Sequence, residues 1–274
     1  MSESHHVHLI SDSTGETLNA MARATIAHFN EIKVSLHTTI MVRSSQELEN
    51  AMAKLRQNPG MVCYTLTDRD LRNRLERECA ALSVVSIAPL DPLFARLSDV
   101  FGQTPGPGVG LQYQLNSAYF ERIAALDFAM AHDDGALSTR LKRADVILTG
   151  VSRTSKTPTC IYLAHRGVKA ANVPLVPGRD PDPAFFEALA DGVPAVGLTA
   201  NPSRLAQIRS ERLETLGDRT PDYAELDQVR TEVTEARLFF DRHAIPVIDV
   251  TRRSIEETAA AILATLQTIE GARP

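Results

Sequence analysis

Residues 150–158 read Gly150-Val151-Ser152-Arg153-Thr154-Ser155-Lys156-Thr157-Pro158. A strand-like run, Asp145–Leu148, leads in, and a helix-like run, Ile161–Arg166, leads out. This is close to the phosphate-binding pattern G-x-x-x-x-G-K-[ST]. Gly150 supplies the first glycine, Lys156 the lysine and Thr157 the hydroxyl, while Ser155 stands where the second glycine is expected. The chemistry needs backbone N–H groups pointing into one concavity, a lysine reaching the phosphates and a hydroxyl for Mg²⁺. A serine at the glycine position is tolerated if its φ is negative. The bland alternative is a helix cap made by Thr154 or Ser155, with Pro158 in the first turn. That alternative leaves Arg153 and Lys156 unexplained, because the positive end of a helix dipole disfavours cations unless an anion lies between them.

Outward from this loop the chain alternates strand-like and helix-like runs. Before it come strands near Val7–Ser11, Val34–Val42, Met61–Leu66 and Val84–Ala88, and helices over Gly15–Phe29, Ser45–Arg56, Asp70–Leu82 and Pro92–Phe101. The run Gln103–Gly110 (QTPGPGVG) holds two prolines and three glycines and reads as a linker. A helix over Ser117–Ala131 follows, ending at His132-Asp133-Asp134-Gly135. After the loop come strands at Ala171–Val176, Ala195–Leu198 and Pro246–Val250. Helices are expected at Pro183–Ala190, Pro202–Leu213, Tyr223–His243 and Ser254–Ile269, the last opened by a Ser254/Glu257 capping box. The expected fold is α/β: two units with mainly parallel sheets, the C-terminal one a P-loop kinase-like unit. The expected division is 1–104, a connecting segment 105–143 with the HDDG turn, and 144–274. No internal repeat is visible.

The 274 residues are ample for such cores, and a net charge of −5 argues against nucleic acid or an anionic membrane as partner. Three cysteines without metal or redox spacing, and an N-terminus without a basic segment and long apolar run, lead to an expected cytoplasmic location. Two further groups carry chemistry. Ser11, Asp12, Ser13, Thr14 and Thr17 surround Gly15 at the end of the first strand, where open α/β sheets bind ligands. Asp12 there is a candidate metal ligand or proton acceptor; the ordinary reading is a turn with Asp12 or Ser13 as helix cap. His132 beside Asp133 and Asp134 suits acid–base work or Mg²⁺ binding, or is a polar turn in which Asp134 caps the next helix. Arg204, Arg209 and Arg212 on one helix suit phosphate, although a solvated helix face is the ordinary reading.

The stretches HLISDSTGET (8–17), YFERIAALDFAMAHDDG (119–135) and GVSRTSKTPTCIYLAHRGVKAANVPLVPG (150–178) resemble the pyruvate, phosphate dikinase regulatory proteins. The phosphoenolpyruvate synthase regulatory proteins are the relatives of that family. The resemblance spans essentially the whole chain, and Thr154-Ser155-Lys156 is similar to the dikinase-directed branch. It implies a bifunctional serine/threonine kinase and phosphorylase. ADP would phosphorylate a dikinase threonine and release AMP; inorganic phosphate would remove that phosphate and release pyrophosphate. It further implies Gly150, Val151, Ser152, Arg153, Thr154, Ser155, Lys156 and Thr157 as the nucleotide loop. Lys156, His132, Asp133 and Asp134 would then be catalytic, with Mg²⁺ on Thr157 and Asp12. The dikinase is the expected partner and self-association is left open. The alternatives are the same chemistry on the synthase, or an ATP-dependent small-molecule kinase.

Overall fold

The computed structural model describes residues 5–29, 32–106, 108–109, 117–134, 138–216 and 221–271. The chain divides into two compact units, 1–114 and 115–274.

The first unit holds β1 (His5–Ser11), α1 (Glu16–Ile26), β2 (Val34–Thr39), α2 (Ser45–Gln57), β3 (Met61–Thr65), α3 (Arg69–Ala81), β4 (Ser86–Ile87) and α4 (Asp91–Phe101). Its strands are all parallel, in the order β2-β1-β3-β4. Leu48, Ala51, Met52 and Leu55 of α2 and Leu71, Leu75 and Cys79 of α3 bury one helical stripe each against Ile10, Val62 and Tyr64. Ser44 caps α2 and Asp68 caps α3 through their side-chain oxygens. Of the QTPGPGVG run, residues 107 and 110 lie outside the described residues.

The second unit holds α5 (Ser117–Ala131), a 3₁₀ turn (Ser138–Arg143), β5 (Val146–Gly150), α6 (Lys156–Ala164), β6 (Ala170–Pro174), α7 (Pro183–Ala190) and β7 (Ala195–Thr199). It continues with α8 (Pro202–Leu216), a second 3₁₀ turn (Pro221–Ala224), α9 (Leu226–Arg242), β8 (Val247–Asp249) and α10 (Ile255–Gly271). Its strands are parallel in the order β6-β5-β7-β8. β5 and β7 are buried along their whole length, as central strands of a sheet covered on both faces must be. Side chains alternate between faces. Val146, Leu148, Val196 and Leu198 meet α5, α6 and α10. Ile147, Ala171 and Ala195 meet Phe185 of α7, Leu205 of α8 and Val229, Val233 and Phe240 of α9. At Gly197 β7 lies close against α9: a Cβ there would sit 2.9 Å from the Phe240 ring.

The two units share a strand order although the sequence shows no internal repeat. Within each unit the first strand sits between the second and third, so the strand orders are the same. The matching strand-to-helix turns also correspond, Gly15 before Glu16 of α1 and Ser155 before Lys156 of α6, both left-handed (φ 75° and 59°). No helix among the described residues is long and apolar enough to cross a membrane.

Candidate active site

In each sheet the order reverses beside the first strand, and ligands of open α/β sheets bind at the C-terminal ends of the strands there. In the second unit that place is the end of β5, where the loop 151–155 begins.

Gly150 ends β5 with φ 150°, and a Cβ on it would lie 2.3 Å from the carbonyl oxygen of Leu198. Only glycine lets β5 run this close to β7 and then turn. Arg153 and Ser155 have φ of 71° and 59°. The condition set for a serine at this position, a negative φ, is therefore not met. The loop keeps the left-handed turn that a glycine would make without strain, and serine occupies it at a cost of about 1–2 kcal/mol. Neither Thr154 nor Ser155 caps α6 with its side chain: Ser155 makes no such bond, and the Thr154 hydroxyl donates to the Val151 carbonyl at 3.0 Å. Strain without a cap is characteristic of a loop shaped for a ligand.

Lys156 opens α6 and turns its side chain back into the loop. It is 6% exposed, and Nζ donates to the Val151 carbonyl at 2.9 Å. Burial pulls its pKa from 10.5 down to about 8, against the opposing pull of Asp134, Cys160 and Asp133; Arg209 pushes it lower still. The ammonium is thus held without a full counter-charge, the state that a phosphate would relieve.

The carboxylates come from the turn after α5. The Thr157 hydroxyl donates to Asp133 Oδ1 at 2.8 Å. The Asn172 amide on β6 donates to Asp133 Oδ1 at 2.7 Å and lies 3.1 Å from both Asp134 Oδ1 and Thr157 Oγ1. Asp134 is exposed, with φ 49°. Gly135 lies outside the described residues. His132 does not join the carboxylates. It is buried and stacked on Phe128 at 3.9 Å, with Nδ1 2.8 Å from the Phe128 carbonyl. A carbonyl only accepts, so the proton is on Nδ1, and the buried Nε2 has no partner. Its ring packs the turn onto α5 and makes no hydrogen bond to either carboxylate among the described residues.

On the opposite side, Arg209 is fully buried, against the reading of its helix face as solvated. Its guanidinium pairs with Glu232 of α9 at 2.7 Å. It also donates to the carbonyls of Ser152 at 3.3 Å and Tyr223 at 3.0 Å. The Tyr223 hydroxyl is 2.7 Å from Ser152 Oγ and accepts from Arg153 Nε at 3.2 Å. Arg204 and Arg212 are exposed. The sequence reading missed Asn172, Tyr223 and Glu232. Asn172 alone left a signal, an amide inside the otherwise apolar strand Ala170–Pro174.

Asp12 belongs to the first unit and Thr157 to the second. Asp12 Oδ2 accepts from the N–H and hydroxyl of Thr67 at 2.7 and 2.8 Å. A cavity of about 950 Å³ opens there, lined by Ser11, Asp12, Thr14, Thr67, Arg69 and Arg72 among others. Among the described residues no group of three or more His, Cys, Asp or Glu side chains could by itself hold a metal ion. The hydroxyl of Thr157 and the carboxylates of Asp133 and Asp134 are nonetheless hard oxygen donors of the kind Mg²⁺ takes together with phosphate oxygens.

A sequence model of the kinase/pyrophosphorylase family matches residues 7–263. A Caulobacter vibrioides protein named "Putative pyruvate, phosphate dikinase regulatory protein" is 53% identical over 259 residues, 94% of this chain and 82% of its own. Proteins of the same name from Rhizorhabdus wittichii and Rhodospirillum rubrum are 47% and 45% identical. They align over 94% and 97% of this chain and 94% and 96% of theirs. The chain belongs to the kinase/pyrophosphorylase family of pyruvate, phosphate dikinase regulatory proteins.

Proposed function

We propose that this protein regulates pyruvate, phosphate dikinase by moving a phosphoryl group on and off one of its threonines, with ADP as donor and inorganic phosphate as acceptor. The observation that carries the reading is one convergence. A buried, destabilised ammonium, a left-handed loop at a helix N-terminus and two adjacent carboxylates meet around Thr157. The family and the names of the relatives support the regulatory role.

In the inactivating direction the threonine Oγ attacks the β-phosphorus of ADP. The bond from that phosphorus to the bridging oxygen breaks, and AMP leaves. The loop amides and Lys156 hold the phosphoryl oxygens, where charge builds up. Asp134 accepts the threonine proton, because Asp133 Oδ1 is already engaged by Thr157 and Asn172 whereas Asp134 is exposed. In the activating direction a phosphate oxygen attacks the phosphothreonine phosphorus. The threonine leaves, Asp134 returns its proton, and pyrophosphate forms. The phosphate of AMP and free phosphate share one subsite, so one cradle serves both reactions. Thr157 and Asp133 would hold Mg²⁺, which would neutralise phosphate charge. The loop is read here as a P-loop equivalent and the location as cytoplasmic.

The test is incubation with purified dikinase and β-labelled ADP. Label on a dikinase threonine with AMP released is expected, followed by labelled pyrophosphate when phosphate is added. Label only from γ-labelled ATP, or on phosphoenolpyruvate synthase instead, overturns the donor or the target.

A further inference from the structure

Asn172 lies in β6, at the edge of the second sheet, and is 2% exposed. Its side chain is not needed to hold β6 to the HDDG turn, because its backbone N–H already donates to the His132 carbonyl at 2.9 Å. The side-chain amide does something else. Its two N–H bonds face three acceptors, Asp133 Oδ1 at 2.7 Å and Asp134 Oδ1 and Thr157 Oγ1 at 3.1 Å. Its own carbonyl oxygen is buried without a partner. An amide flip would set that oxygen against the carboxylates, so the surrounding acceptors fix the orientation. A buried amide with an orphaned oxygen costs stability, and the gain is the placing of the other end.

Asp133 and Asp134 are chain neighbours with identical chemistry, yet their surroundings differ. Asp133 Oδ1 accepts from Asn172, from the Thr157 hydroxyl and, at 3.1 Å, from the Asp134 N–H. Asp134 has only the longer Asn172 contact among the hydrogen bonds of the described residues, and it faces solvent. We propose that Asn172 is the positioning residue that makes the two aspartates unequal, fixing Asp133 as the tie to the phosphate loop and aiming Asp134 as the group that reacts. It acts through the carboxylates, on Asp134 by one long bond of 3.1 Å, and not on the phosphoryl group. The inference rests on the reading of Asp134 as the base.

The experiment uses the full chain, purified dikinase and β-labelled ADP, with Asn172→Leu, Asn172→Ser, Asp134→Asn and the double variant Asp134→Asn/Asn172→Leu. Equilibrium binding of ADP and thermal unfolding are measured on each. Asn172→Leu is expected to lower kcat about 100-fold while the ADP Kd moves less than about threefold, because the loop amides are untouched. Asn172→Ser, which keeps one donor, is expected to recover part of the loss. In the double variant the losses are expected not to multiply, since both act on one carboxylate. An Asn172→Leu variant that keeps its kcat, one that loses kcat and ADP binding in step, or losses that multiply would each overturn the positioning role while the wild type still transfers label. A wild type that transfers nothing overturns the base reading and this inference together.

Discussion

The Lys156 ammonium donates to the carbonyl of Val151, five residues back in its own loop, at 2.9 Å. The loop therefore fills its own concavity with its own cation, and an anion bound there would have to take that bond over. The drop in pKa from 10.5 to about 8 corresponds to about 3 kcal/mol of cost at neutral pH. The folded-state value is lowered, so the cost is fully present below about pH 8. Between there and the ordinary lysine range the unfolded chain holds a proton that the folded chain has lost, and stability rises with pH. Lys156→Met is expected to abolish transfer in both directions and to raise Tm at neutral pH, with the gain shrinking towards about pH 10. Thermal unfolding at both pH values checks it; a variant less stable than wild type at neutral pH would contradict the buried cost. ADP binding by the wild type is expected to weaken as pH rises through about 8.

Two loop positions are expected to respond in opposite directions to similar changes. Gly150→Ala puts a methyl 2.3 Å from the Leu198 carbonyl at a φ of 150°. Neither backbone can move without separating β5 from β7, so a loss of roughly 3 kcal/mol or more is expected, together with ADP binding. Ser155→Gly relieves the left-handed serine and is expected to stabilise by about 0.5–1 kcal/mol after the added freedom of the unfolded chain is subtracted. Denaturant unfolding of the two variants settles both signs.

The alternation of strands and helices was legible in the sequence because each buried face keeps its period: α2, α5 and α7 begin where their patterns start. The Ser254/Glu257 capping box was also legible, and both its bonds are present, Glu257 N–H to Ser254 Oγ at 3.1 Å and Ser254 N–H to the Glu257 carboxylate at 2.8 Å. The loop and the aspartates stand out in the sequence because they lie in short polar runs at strand and helix ends. Arg209, Glu232, Tyr223 and Asn172 were not assigned to the site, for a common reason. They reach the loop from α8, α9, the 3₁₀ turn and β6, and nothing in local spacing says which helical arginine turns inward. The place of the His132 ring was not legible for the same reason: adjacency in the chain to two aspartates does not set a ring beside them.

Arg209 and Glu232 form a buried pair that also carries the Ser152 and Tyr223 carbonyls. Removing one partner leaves a buried charge, so Arg209→Met or Glu232→Gln should each cost about 3–5 kcal/mol. The double variant should cost less than the sum of the two. A chemical-denaturation cycle over the four proteins gives the coupling, and additive losses would show that the pair is not acting as a unit. Arg209→Met should also weaken ADP binding, because Ser152 loses the group that fixes its carbonyl.

Asp133 and Asp134 offer the sharpest separation of stability from chemistry. Asp134 is exposed and left-handed, a conformation that asparagine accepts readily, so Asp134→Asn should leave Tm nearly unchanged. If Asp134 takes the threonine proton, the same variant should lose about 10²–10⁴-fold in kcat for dikinase phosphorylation, the usual range for a general base. Asp133→Asn should behave differently. It weakens a tie that binds Thr157 and Asn172 to the turn, so it should cost about 1–3 kcal/mol of stability as well as activity. Measuring kcat and Tm on both variants tests the assignment: an Asp134→Asn enzyme that phosphorylates normally, beside an inactive but stable Asp133→Asn enzyme, would exchange the two roles.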